Sequence, residues 1–276
     1  MKIYISADFE GTCGITEIKQ CFPGNSDFDL SRRRWIQDIN TIVEGALAGG
    51  AAEVVVNEAH AAMNYLVPEL LHPKASYISG YVKADNQMEG LDASFAGAVL
   101  MGHAMAGAAQ GVLNHNYVMR DVVALRLNGE PIGEVGLNMH WASVLGVPAI
   151  LVVGDDCVAQ EARALVPEIE TAVVKTGLSQ FTAHHLPLEH ARQVIRAAAE
   201  RAVRRAPEIP RLPALDSYDL EIDFSLSEIA QLAAYIPTVE RVGGRTVRIT
   251  SPDYRQVQRI RIVCTNLALA VVRQHF

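Results

Sequence analysis

Met1-Lys2-Ile3-Tyr4-Ile5-Ser6-Ala7-Asp8-Phe9-Glu10-Gly11 opens the chain. Lys2–Ala7 reads as a short strand by its Ile/Tyr/Ile content, and it runs straight into two carboxylates spaced i, i+2 and a glycine. An acid at position 8 comes too early for the apolar core of an export signal, so a cytoplasmic protein is expected. Working outward, the strand signal recurs at Glu53–Asn57, Ala98–Met101 and Pro148–Val153. Between and after these runs the apolar period lengthens to that of a helix. Ser31–Leu47 carries Trp35, Ile36, Ile39, Ile42, Val43, Ala46 and Leu47 on one face and stops at Gly49-Gly50. Glu134–Leu145 and Asp156–Leu165 are also predicted helical. Strands alternating with helices predict an α/β three-layer core with a mostly parallel sheet.

Beyond Pro167 the texture changes. A long Ala/Arg helix, Leu188–Arg205, precedes the breaker-rich run from Ala206 to Pro213. Strand-like Leu220–Phe224 and Thr246–Thr250 follow, then a terminal helix from Asp253 to about Arg273. The expected division is a metal-binding catalytic core at 1–167 and a smaller α+β region at 168–276 packed on it.

Composition narrows the classes. Of 276 residues half are hydrophobic and 20% charged, which excludes a disordered chain. Charge is 24 − 31 = −7, and an acid excess excludes a general polyanion binder, so no nucleic-acid partner is expected. Two uncharged stretches, 93–119 and 135–154, are interrupted by His, Asn, Gln, Gly or Pro residues, and no membrane span is expected. The four cysteines, Cys13, Cys21, Cys157 and Cys264, form no C-x-x-C pair and suit buried thiols in a reducing compartment.

Chemistry gathers at the strand ends. Asp8 and Glu10 follow the first strand, and paired carboxylates repel unless a cation or proton separates them. A divalent metal is one occupant; a solvated loop is the other reading. His60 follows the Glu53–Asn57 strand and His103 the Ala98–Met101 strand. A lone histidine there is ordinarily a hydrogen-bonded loop residue, but three successive strand ends bearing Asp/Glu, His and His are harder to set aside. With Glu134, after the turn Asn128–Gly133, they make three carboxylates and two imidazoles, a set suited to zinc, or to manganese or cobalt in its place. Five such ligands suffice for two metals if one carboxylate bridges, and Asp8 is the natural bridge.

His115, in Gly111-Val112-Leu113-Asn114-His115-Asn116, can act as a base or nucleophile near such cations, or be a capped loop histidine. His72, His184, His185, His190 and His275 read as surface residues, and His140 as core or interface. Gly154-Asp155-Asp156 reads as a helix start with Asp156 as N-cap, and Lys175, after strand Thr171–Val174, as an exposed lysine. Arg32-Arg33-Arg34 reads as a solvated face.

The ordered set of these motifs resembles the D-aminopeptidase family of zinc metallopeptidases, often labelled dipeptide transport proteins. Its carriers are Ser6-x-Asp8-x-Glu10-Gly11, Asn57-Glu58-Ala59-His60, Ser79-Gly80 with Met88-Glu89-Gly90-Leu91-Asp92, His103-Ala104, Gly111-Val112-x-x-His115, Gly133-Glu134-x-Gly136-Leu137-Asn138 and Gly154-Asp155-Asp156. The resemblance implies a dizinc enzyme with Asp8, Glu10, His60, His103 and Glu134 as metal ligands and His115 as the catalytic residue, as nucleophile or as proton shuttle. It also implies cleavage of N-terminal D-amino acids from short peptides or amides, and a homo-oligomer, ring-shaped in form. The other classes open to such a ligand set are a dimetal phosphoesterase or non-peptide amidase, and a non-enzymatic dipeptide-binding protein. Three positions depart from the family pattern: Glu58 where Asp is usual, Gly102 directly before His103, and Thr12-Cys13 after Gly11.

Overall fold

The computed structural model describes residues 1–275, with side chains described through Val271. In chain order the elements are β1 (Lys2–Ala7), α1 (Phe28–Ala48), β2 (Glu53–Glu58), β3 (Ala75–Ile78), β4 (Gly97–Met101), β5 (Val122–Leu127), β6 (Glu130–Pro131) and α2 (Glu134–Val144). There follow β7 (Ala149–Asp155), α3 (Asp156–Leu165), β8 (Glu170–Ser179), β9 (Thr182–His185), α4 (Leu188–Arg205), β10 (Tyr218–Phe224), α5 (Ser227–Ala233), β11 (Val239–Arg241), β12 (Thr246–Ser251) and α6 (Tyr254–His275).

Seven strands form the main sheet in the order β3-β2-β1-β4-β7-β8-β9. Every pairing in it is parallel except β8 with β9. The central strands are buried along nearly their whole length, which is why Ile3-Tyr4-Ile5 and Val54-Val55-Val56 show no alternation with polar residues. α1 and α4 pack on each other on one face of this sheet, and α2 and α3 together on the other. The α1–α4 contact is close because Gly45 offers no Cβ: one built there would collide with the Arg196 carbonyl oxygen.

The second sheet is antiparallel, in the order β11-β12-β10-β5-β6. β10 alternates buried and half-buried residues along Tyr218–Phe224, as a sheet with one wetter face must. α5 and α6 pack against it. The fold is thus an α/β sandwich joined to a smaller α+β unit, as the alternation of elements predicts.

The expected division at 167/168 does not follow the sheets. β8, β9 and α4 belong with the main sheet, while β5 and β6, from residues 122–131, pair with the second. The change in texture after Pro167 marks the last parallel strand of one sheet, and pairing of β5 with β10 is a long-range event with no local signature. No helix among the described residues is long and apolar enough to cross a membrane.

Main-sheet order places β1 at the point where connections change direction: β2 lies on one side of it and β4 on the other. In open α/β sheets the crevice at such a switch point, beyond the carboxyl ends of the strands, is where ligands bind.

Candidate metal centre

Backbone hydrogen bonds extend the ladder past the strand ends and hold the loops that follow. Asp8 N donates to Met101 O (3.1 Å), Ala59 N to Ala7 O (2.9 Å) and Gly102 N to Val153 O (3.0 Å). Asp8 and Glu10 after β1, His60 after β2 and His103 after β4 are thereby brought to one point, with Glu134 arriving from the first turn of α2. Packing at these ends is tight. A Cβ on Gly11 lies 2.7 Å from Gly102 N, and one on Gly102 lies 2.9 Å from Val135 Cγ2, so the glycine directly before His103 is what the crowded backbone admits. Beneath, Phe9 stacks on the buried Trp35 (centroids 4.7 Å apart), bracing the Asp8–Glu10 turn from the α1 side.

All five side chains are buried. His60 Nδ1 lies 3.2 Å from Asp8 Oδ1 and 3.0 Å from Glu10 Oε2; His103 Nε2 lies 3.6 Å from Asp8 Oδ2 and 3.5 Å from Glu134 Oε1. Asp8 therefore faces both imidazoles, one oxygen to each. The other nitrogen of each ring is committed to a main-chain carbonyl: His60 Nε2 to Cys21 O (3.2 Å) and His103 Nδ1 to Ala104 O (2.9 Å). A carbonyl accepts only, so these nitrogens carry protons, and in the neutral rings the lone pairs of His60 Nδ1 and His103 Nε2 face the acids. That is the arrangement of metal-ligating histidines.

The fit to a cation rests on what is left unpartnered. Glu10 Oε2 and His103 Nε2 are sealed from solvent and make no hydrogen bond, although each lies near an opposite group. Asp8, Glu10 and His103 offer ligand atoms within 4.8 Å of one another, and so do His103, His115 and Glu134. Two overlapping donor triads sharing His103 suit a pair of adjacent cations. Charge points the same way. Burial, then the neighbouring Glu10 charge, pushes Asp8 up to about 7. Burial opposes Glu10 ionising as well, yet the His60 imidazole beside it holds that carboxyl well below its ordinary value. Against burial, the carboxylates raise His60 to about 10 and His103 to about 9, Glu10 leading for the first and Glu134 for the second. With no metal the cluster balances its acids by holding protons, on both rings and in part on Asp8.

His115 lies beside this cluster, its ring stacked on that of His103 at 4.0 Å and 10°. Its Nδ1 faces Leu113 O at 2.7 Å, so Nε2 keeps a free lone pair. Burial, reinforced by His103, lowers its pKa, leaving a neutral imidazole at pH 7. The loop that carries it is held from several sides. Val112 N donates to Asp155 Oδ2 (2.6 Å), Leu113 N to Gln180 O (2.7 Å) and Gln180 Nε2 to Asn114 O (2.9 Å). Leu113 adopts a left-handed backbone, φ 53°, sustained by these contacts. A cleft of about 720 Å³ opens over Asp8, Glu10, His60, His115 and Glu134.

Residues 1–262 match the D-aminopeptidase family. The chain belongs to the D-aminopeptidase family. Membership places it among metal-dependent peptide hydrolases. A D-aminopeptidase of Bacillus subtilis (strain 168) is 32% identical over 270 residues, covering 98% of each chain. The solved structure of the Zn-dependent D-aminopeptidase DppA from Bacillus subtilis, described as a self-compartmentalizing protease, superposes with a TM-score of 0.93 at 33% identity and 98% coverage of both chains.

Within this D-aminopeptidase fold several expectations change. Lys175 is not exposed: it is 2% accessible, and its ammonium donates to the carbonyls of Glu10 (2.6 Å), Thr12 (3.0 Å) and Ile15 (3.0 Å). β8 is an inner strand, so its inward side chain reaches under the Asp8–Glu10 loop. The N-cap of α3 is Asp155, whose Oδ1 accepts from Val158 N at 2.9 Å, while Asp156 accepts from Gly177 N. With those bonds made, the Asp155-Asp156-Cys157 group is a capping cluster. His184 and His190 are exposed, but His72 and His185 are half-buried, and His185 Nδ1 accepts from Gly14 N (3.1 Å). His140 is in the core against Tyr254, and the side chain of His275 lies outside the described residues. Glu58, the departure next to His60, turns away from the ring to accept the amides of Tyr65 and Leu66.

Gln87 is the residue that sequence reasoning passed over, one place before the Met88-Glu89-Gly90 run. Its Nε2 donates to Glu134 Oε2 (2.5 Å), its Oε1 accepts from Asn138 Nδ2 (2.8 Å), and its carbonyl accepts from Ser6 Oγ and Asn57 Nδ2 (both 2.7 Å). Tyr117 N–H holds the other oxygen of Glu134. A glutamine in a loop carries no period or motif; only the partner it meets identifies it.

Proposed function

We propose that the chain is a dizinc aminopeptidase that removes N-terminal D-residues from short peptides or amino-acid amides, with Asp8, Glu10, His60, His103 and Glu134 holding two zinc ions and His115 acting on the substrate. The observation that carries this reading is the convergence of two imidazole lone pairs and three buried carboxylates, with Asp8 turned to both rings. Zinc dependence and preference for D-residues are extended to this chain from its Bacillus subtilis relative. So is assembly into a homo-oligomer, ring-shaped in form, to be read from solution mass by light scattering.

Bound zinc would supply a water of lowered pKa, near 7, and polarisation of the scissile carbonyl. The remaining steps belong to this chain. Asp8 and Glu10 line the cleft where the free α-amine of the substrate would be held at the metal centre. Gln87 and Tyr117 N–H grip Glu134 so that one oxygen stays turned to His103. His115, neutral and with Nε2 free, takes a proton from the attacking water at that atom and returns it to the amine as the C–N bond breaks, or attacks the carbonyl carbon itself, expelling the amine and leaving an acyl group that water then removes.

The deciding experiment is elemental analysis of protein purified without chelator, beside Asp8→Ala, followed by assay on D-alanyl and L-alanyl amides and p-nitrophenyl phosphate. About two zinc per chain, lost in the variant, with turnover of the D-amide, is the expected result. Near-zero metal and no activity restored by zinc, manganese or cobalt would make the cluster structural. Turnover of the phosphate ester alone would make the chain a phosphoesterase, and dipeptide binding without turnover would make it a binding protein.

A further inference from the structure

The cleft carries opposite charges on two sides. Asp8, Glu10 and Glu134 line it at the metal centre, and Arg261 of α6 lines it beside Tyr117. Arg261 is 3% exposed and forms no ion pair with any described residue. Its neighbours on the helix differ: Arg255 and Arg259 both grip Asp85, at 2.5 and 3.0 Å. Burying a cation without an acid is costly, so such a side chain is a place where a ligand's charge is missing.

The guanidinium is also oriented. Its Nε donates to Gln258 Oε1 at 3.1 Å, and its guanidinium carbon lies over the Tyr117 ring, 3.7 Å from the centroid. Stacking occupies the face and Gln258 one N–H. The Nη1–Nη2 edge has no hydrogen-bond partner among the described residues. That edge is the fork that takes a carboxylate through two parallel bonds. Tyr117 ties the two sides together, since its N–H donates to Glu134 while its ring carries Arg261.

We propose that Arg261 binds the C-terminal carboxylate of a short-peptide substrate, making free-acid peptides preferred over the same peptides ending in an amide. This inference rests on the aminopeptidase reading above. A short peptide has its free amine and its carboxylate at opposite ends, and the cleft offers the metal centre to one and a guanidinium to the other. The carboxylate carbon of a dipeptide lies only three bonds beyond the scissile carbonyl carbon, so the preference falls on the shortest peptides.

The test measures kcat/KM of the zinc-loaded enzyme for D-alanyl-D-alanine and for D-alanyl-D-alanine amide, in wild type, Arg261→Met and Arg261→Lys. Wild type is expected to favour the acid. In Arg261→Met the acid-to-amide ratio should fall about 10- to 100-fold, through KM, as loss of a charge-assisted pair implies. In Arg261→Lys, which keeps the charge but not the fork, it should fall at least about 3-fold. A ratio unmoved in either variant overturns the proposal, whatever the change in total activity. If Arg261→Met does not fold, the lysine variant decides by the same ratio. Wild type inactive on both peptides is instead the failure of the aminopeptidase reading, and the Arg261 proposal falls with it.

Discussion

Glu134 shows how one carboxylate is prepared for a metal. Gln87 and the Tyr117 amide occupy its oxygens from the side of the loops, and Asn138, one turn along α2, fixes the amide of Gln87 in the sense that donates. Gln87 thus acts through Glu134 as a positioning residue. Groups in that role typically account for a 10- to 100-fold difference in metal affinity. Gln87→Ala should weaken zinc binding by about that factor in a competition titration with a chromophoric chelator. At saturating zinc the ion count should match wild type. Gln87→Glu should be worse, since a second acid would face Glu134 and Asn138 could no longer fix its orientation. Unchanged affinity in both variants would mean that Glu134 needs no support.

At the scale of elements, the Asp8–Glu10 turn is held from outside its own strand. Lys175 rises from β8 and donates to three carbonyls of the loop, those of Glu10, Thr12 and Ile15, while Asp38 of α1 accepts the amide of Cys13. The carbonyls so capped have no strand partner, and hydrogen bonds from a charged donor contribute roughly 1.5–3 kcal/mol each before the cost of burying the ammonium is set against them. Lys175→Met, which keeps the stem and removes the donors, leaves those carbonyls without their partner. It is expected to cost about 3 kcal/mol in a denaturant titration. It should also lower zinc content, because the turn that aims Glu10 is loosened. A variant as stable as wild type with full zinc would show that water replaces the ammonium at no cost.

For the whole molecule, buried charge sets how stability depends on pH. Asp38 is 2% exposed, its nearest cation Arg192 is 3.9 Å away, and burial lifts its pKa to about 7. Its folded pKa lies above the unfolded value near 3.9, so between those values the folded state holds the proton that the unfolded state has lost. Asp38 therefore subtracts from stability as pH rises from about 4 to about 7, and the full deficit persists above that. Asp38→Asn, neutral throughout, should be more stable than wild type at pH 8 by a few kcal/mol at most. The advantage should vanish by about pH 4. Thermal melts at both pH values, on apoprotein so that zinc loading does not intervene, read this directly. An advantage equal at both pH values would assign the gain to packing.

What the sequence by itself determined is local. Asp8, Glu10, His60 and His103 were legible because each lies just past a short strand-like apolar run, and the end of a parallel strand in an α/β sheet is where a ligand site forms. The α/β alternation was legible for the same reason, since period and propensity act within a dozen residues. Tertiary structure alone decided which of those strand ends adjoin. The sheet order β3-β2-β1-β4 sets Asp8 between His60 and His103, and nothing near any one of them in the chain encodes it. Tertiary structure also decided that Lys175 is buried, that β5 leaves the first half to pair with β10, and that Gln87 and Arg261 face the cleft. Sheet order and burial minimise the free energy of the whole chain, so a lysine or glutamine acquires its role only from partners that folding brings to it.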